Sequence, residues 1–195
     1  KQYDYAVILG ATLHAMRKRL AFLVEQFKKG IRFDQIVFLV GQRLRNKDIE
    51  TDADLSNQNN GYLEINDGWT IESPPQTETE LAQMIWEQSI MPETMKKIPV
   101  QFIDTPSQQD NGTVRRPTTG DTIKEWLKTA PKPGTILAIS SNPHVGYQDA
   151  TLRTLIPPQF NIETIGPAAA GSEKLSVVLD ALGRQLYQEY QLSIS

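Results

Sequence analysis

Two apolar runs that each close on a glycine, YAVILG at residues 5–10 and QIVFLVG at residues 35–41, constrain this chain more than any other feature. A strand buried on both faces reads as a continuous Val/Ile/Leu run rather than an alternation, and such strands belong to parallel sheets. Between the two runs, Leu13, Met16, Leu20, Leu23, Val24 and Phe27 fall on one helical face that stops at Gly30. Strand, helix and strand in this order make a right-handed βαβ unit. The rhythm recurs downstream: PVQFID (99–104), TILAIS (135–140) and FNIETIG (160–166) read as further strands, separated by the helical patterns TETELAQMIWEQ, DTIKEWLKT and YQDATLRTLI. A terminal amphipathic helix puts Leu175, Val178, Leu179, Leu182, Leu186 and Tyr190 on one face. The expected fold class is α/β: a doubly wound, mostly parallel, five-stranded Rossmann-like sheet, with residues 1–195 forming one domain.

Two stretches break the rhythm. Residues 48–76 read as an insertion, in which YLEINDGWTIE alternates about Asn-Asp-Gly and predicts a β-hairpin near residues 62–72. That hairpin is expected to lie over the strand ends as a lid or partner surface. The polar stretch TPSQQDNGTVRRPTTG is longer than most connections in a compact domain and marks a functional or mobile loop.

Composition removes several function classes. A net charge of -3 gives no electrostatic footprint for nucleic acid or an anionic membrane, so the expected partner is a small molecule. The absence of cysteine excludes thiol catalysis, Cys-ligated zinc and disulfides, and two histidines are too few to favour a zinc site. No apolar run approaches the ~18 residues of a membrane span. The first residue is Lys rather than Met, as after removal of a signal or anchor, which leaves the compartment of a soluble protein open between cytoplasm and periplasm. Basic residues cluster at RKR (17–19) and GQRLRNK (41–47), both near predicted strand ends.

Ligands of open α/β sheets sit in the crevice at the carboxyl ends of the strands, where helix N-termini favour anions. That rule nominates Gly10 to Thr12, Gly41 to Arg43, Asp104 and Thr105, Gly166 and Pro167, and the loop SSNPHVG with Ser140, Ser141, Asn142, Pro143 and His144. His144 has the side chain suited to general acid–base work near neutral pH. No Walker loop, dinucleotide fingerprint or nucleophile elbow is present, so neither a standard NAD site nor an α/β-hydrolase triad is expected. Asp104 or Glu80 together with a substrate phosphate would suit Mg²⁺. Glu80 follows Thr77 by three residues, and Thr119 and Asp121 open a helix, so helix capping also accounts for them.

The succession VILG, RLAFLVEQFKKG, IVFLVG, TELAQMI, TTGDTIKEWL and LAISSNPHVGYQDATLR resembles the SanA/ElyC/YdcF-type family, Rossmann-like bacterial proteins linked to the cell envelope. The resemblance spans almost the whole chain on short motifs. It implies a nucleotide-type ligand, and S-adenosylmethionine in the case of one member. It carries over Arg19, Gly41, Glu80, Thr119 and His144 as site residues. The chain departs from the pattern at Gln42, where a second glycine stands in the family, at Asp121 and Thr122 in place of Glu-Asn, and at Tyr147 in place of Arg.

Two functions follow as expectations. One is a hydrolase or transferase acting on a phosphorylated or nucleotide-linked substrate. There His144, Glu80 and Asp121 would be catalytic, and Gly10, Ala11, Arg19, Gly41, Gln42, Thr119, Ser140, Ser141 and Asn142 would bind ligand. The other is a non-catalytic ligand- or partner-binding domain that keeps the crevice without the reaction.

Overall fold

A computed structural model describes residues 1–110, 112–169 and 171–194. Five strands form one all-parallel sheet: β1 (Gln2–Leu9), β2 (Arg32–Gly41), β3 (Val100–Thr105), β6 (Thr135–Ile139) and β7 (Asn161–Ile165), in the order β3-β2-β1-β6-β7. Winding outward in both directions from β1 gives the doubly wound Rossmann-like arrangement. The crossover helices divide by face: α1 (Leu13–Lys28) and α3 (Glu78–Gln88) cover one side, α5 (Thr119–Lys128) and α6 (Val145–Leu155) the other. Short helices α2 (Asp52–Leu55) and α4 (Glu93–Lys96) lie within connections, and α7 (Leu175–Ser193) packs on α6.

The apolar runs become strands because each has two apolar layers to fill. Side chains alternate across the pleat, so Ala6 and Ile8 join the core under α1 and α3 while Val7 and Leu9 join the core under α5 and α6. The second core is aromatic at its centre, with Tyr5 edge-on to Trp126 at 5.5 Å and Phe160 tilted against both.

Residues 62–72 do not form the expected hairpin over the strand ends. Ile65 makes a single antiparallel bridge to Ser89, and the Asn66 amide donates to the Gln88 carbonyl at 2.8 Å. Both contacts are at the C-terminal end of α3, the end remote from the carboxyl edge of the sheet. The insertion therefore runs down the outer face of α1 and α3, where Leu55 is buried and Trp69 and Ile71 pack on the core. The alternation in YLEINDGWTIE comes from side chains laid against two helices. Among the described residues the antiparallel two-stranded pair lies in the long polar loop instead, as β4 (Gln108–Asp110) and β5 (Thr113–Arg115).

Candidate functional site at the carboxyl edge of the sheet

The switch point of the sheet lies between β1 and β6, whose following segments point apart to opposite faces. Arg19 of α1 reaches into it from below. Its Nη1 donates to the carbonyls of Leu9 (2.7 Å) and Gly10 (2.9 Å), and its Nη2 to Ser141 Oγ at 3.3 Å. One side chain thus ties the end of β1 to the loop after β6. The guanidinium is buried, and its Nε finds no partner among the described residues. No carboxylate there lies within ion-pair distance of it; burial pulls its pKa down to about 10, opposed only by the more distant Glu78. All three residues of the RKR cluster are such fasteners. Arg17 donates to the carbonyls of Asp54 and Leu55, and Lys18 to that of Ala168.

On the β1–β2 side the crevice is filled by the chain itself. Glu50, fully buried, accepts from the amide of Leu13 at the start of α1, from the amide of Asn46, and from both terminal nitrogens of Arg43. A carboxylate from the insertion occupies the place where a ligand anion would meet α1. Arg43 donates as well to the carbonyl of Ala11 (3.1 Å) and to Glu78 (3.5 Å). Burial pushes the Glu50 carboxyl up, but these hydrogen bonds outweigh it and hold the group below the usual carboxylate range. Glu78 goes the other way: its burial dominates and raises it against Arg43, the Gly41 amide and Arg19. Gly10 is glycine because a Cβ there would come within 2.9 Å of Glu78 Oε2 and 2.7 Å of the Leu39 carbonyl. Gly41 is held just as closely, by the Thr105 carbonyl and Pro117. Gln42 donates its amide to Thr105 and its side chain to Asp104 Oδ2, whose other oxygen accepts from Thr79.

Glu80 and Asp121 occupy helix-capping positions. The Glu80 carboxylate accepts from the Gln76 amide at 2.6 Å, while its own amide donates to Thr77 Oγ1. Asp121 completes a capping box with Thr118 and pairs with Arg115 at 2.7 Å, which pins the β4–β5 hairpin to α5. Arg115 first, then the Thr118 amide and hydroxyl, lower its pKa to about 2 against a modest burial penalty. The cap is Thr118; Thr119 is the first helical residue, and its carbonyl accepts from Thr122 Oγ1. No hydrogen bond or ion pair joins Glu80 or Asp121 to His144 among the described residues.

The β6–β7 side is built differently. Ser140 is buried with its Oγ unpartnered, and its amide donates to Ile165. Asn142 donates through both its backbone and its side-chain nitrogen to the Pro167 carbonyl, binding the loop after β7 across the loop after β6. His144 is the N-cap of α6, yet its ring does not cap the helix, and the amides of Val145, Gly146 and Tyr147 take no partner among the described residues. The ring is half-buried. Burial lowers its pKa, as does the charge of Arg19; Glu173 and Asp180 pull it up and Arg184 pushes it down. His144 is therefore neutral at pH 7. Beside it, between α6 and α7, lies a groove of about 430 Å³ lined by Tyr147, Asp180, Gly183, Arg184, Tyr187 and Gln188.

Compared with protein-family models, curated proteins and solved structures, the chain matches none.

The structure thus brings Arg19, Ser141, Asn142 and His144 together and leaves Glu80, Thr119 and Asp121 at separate helix starts. Among the described residues no group of three or more His, Asp or Glu side chains is gathered as a metal site would require, and no helix is long and apolar enough to cross a membrane. Sequence reasoning nominated Arg43 at the end of β2 but missed its partners Glu50 and Glu78. The basic run GQRLRNK beside a strand end was the one signal of them, because a buried acid within a polar insertion follows no periodicity.

Proposed function

We propose that this chain binds a small molecule through a single anionic group, a phosphate monoester or carboxylate, held at the N-terminus of α6 between β1 and β6. One observation carries the reading. Among the described residues, α1 is capped by Glu50, α3 by Thr77 and α5 by Thr118 and Asp121, whereas α6 alone of the four crossover helices opens uncapped, beside a buried arginine that no carboxylate contacts. A helix N-terminus and a buried cation both favour an anion. With Glu50 already at the start of α1, the pyrophosphate of a dinucleotide has no second helix to rest on. The groove by Tyr147 would take the uncharged remainder, so a mononucleotide-type molecule fits this reading best. His144, neutral at pH 7, would accept or donate one hydrogen bond to it.

Binding is favoured over catalysis because the carboxylates nominated as catalytic are spent on helix caps, and no acid hydrogen-bonds to His144 among the described residues. On this reading the chain is a divergent relative of the SanA/ElyC/YdcF-type envelope proteins, retaining the crevice without the reaction.

The test is a thermal-shift comparison of wild type and His144→Ala with inorganic phosphate, AMP, NAD, S-adenosylmethionine and Mg²⁺. AMP at ~100 times its dissociation constant should stabilise wild type by about 2.7 kcal/mol, and the variant less. Equal stabilisation by NAD would sink the single-anion reading, and no response to any compound would sink ligand binding altogether. Turnover of a phosphorylated substrate that vanishes in His144→Ala would replace the binding domain with an enzyme.

A further inference from the structure

Helix α7 is amphipathic in the reverse sense. The side turned to α6 is narrow and mostly small or polar: Ala181 is its one buried residue, flanked by the partly exposed Val177, Gln185 and Gln188. The leucine-rich face points to solvent, with Leu175 70% exposed, Leu186 59% and Tyr190 60%. A helix of a globular protein ordinarily turns that stripe inward. Gly183 adds a second, independent observation. A mid-helix glycine costs about 1 kcal/mol relative to alanine, yet a Cβ at this position would meet nothing within the chain. Within the protomer it only borders the open groove beside Tyr147, and no packed neighbour requires a glycine there.

We propose that α7 is the interface of a homodimer, its leucine face lying antiparallel on the same face of a second copy across a two-fold axis beside Leu182 and Gly183. The six large apolar residues of that face, Leu175, Val178, Leu179, Leu182, Leu186 and Tyr190, are all exposed. At roughly 100 Å² apiece they offer about 600 Å², the upper end of the largest patch of an ordinary monomer and about three quarters of the share each partner gives to a standard interface. The face is self-complementary, as a two-fold interface requires. Antiparallel pairing about that axis sets Leu175 over Tyr190, Leu179 over Leu186 and Leu182 over Gly183 of the second copy, where the missing side chain admits close approach. The charge pattern selects a protein over a membrane surface. The ionic residues of α7 are Asp180, Arg184 and Glu189, with Asp180 and Arg184 paired at 2.8 Å, whereas a helix lying on lipid carries a Lys/Arg-rich flank.

Sedimentation equilibrium of the full chain tests this, with wild type, Leu182→Glu and Gly183→Ala compared over a wide concentration range. Wild type should weigh twice 21.9 kDa and Leu182→Glu once that. Gly183→Ala should keep or raise its helical circular dichroism and yet dimerise at least fivefold more weakly, the reverse of what a local structural role would produce. Should Leu182→Glu fail to fold, Gly183→Ala decides alone. A wild type that stays monomeric throughout overturns the proposal, and so does one that stays monomeric while sedimenting with anionic phospholipid vesicles. A dimer that both variants leave intact overturns it as well.

Discussion

The two halves of the carboxyl edge start from the same fold element, a parallel strand delivering its chain to a helix N-terminus, and finish it in opposite ways. After β1 the helix start is sealed by Glu50, which Arg43 holds and two backbone amides ground. After β6 the helix start is open among the described residues, with an unpartnered serine hydroxyl, a half-buried neutral histidine and a buried arginine that no acid contacts. The difference teaches that position within a doubly wound sheet nominates a site, and that the polar accounting around each helix start decides whether it is one.

Breaking the sealed half should have the largest effect. Glu50→Ala strands the Leu13 and Asn46 amides and leaves Arg43 with one fewer acid; removing one member of a buried charged network costs about 3–5 kcal/mol. Urea unfolding reads this directly, and a loss below 1 kcal/mol would show the seal to be ornamental. Next comes the Asp121 cap of α5. Its carboxyl is held near 2, well under its unfolded value, so its contribution is complete at neutral pH and drains away as pH falls from about 4 through 2. Asp121→Asn should cost about 1–2 kcal/mol at pH 7, allowing for solvent screening, and flatten the acid limb of a stability-versus-pH curve. An acid limb as steep as that of wild type would remove Asp121 from the account.

The smallest expected effect sharpens the open half. Burial and Arg19 depress His144, so the unfolded chain binds the proton more readily than the folded one. Stability from this group is therefore full above its unfolded pKa of 6.5 and declines as pH falls below it. His144→Gln should flatten that decline, seen as a smaller drop in melting temperature between pH 7 and pH 5. A bound anion should flatten it too, by offsetting Arg19. An identical pH slope in wild type and His144→Gln would show the ring to be better solvated than its burial indicates.

The sheet was legible because its strands are apolar on both faces, and a run such as QIVFLVG has no alternative environment in a chain of this polarity. The crossover helices were legible from one-sided periodicity, and the placing of SSNPHVG followed from the strand that precedes it. What the sequence concealed was polar and non-local. Glu50 meets Leu13 across 37 residues of sequence, and Arg19 meets Ser141 across 122. Such pairings leave no local pattern, so Glu50 was not singled out and Arg19 read as a ligand contact. Alternation at residues 62–72 misled for a related reason: a segment laid across two helices also alternates between buried and exposed, without a strand partner.

The tether on Glu50 has a consequence for how this protein meets its surroundings. A carboxylate borne on the same chain competes for the start of α1 at an effective concentration in the millimolar range or above. A free phosphate, nucleotide or metabolite would have to exceed that level to displace it. The β1–β2 half is therefore deaf to the composition of the solution around it, and any response to changing solute levels must enter through α6.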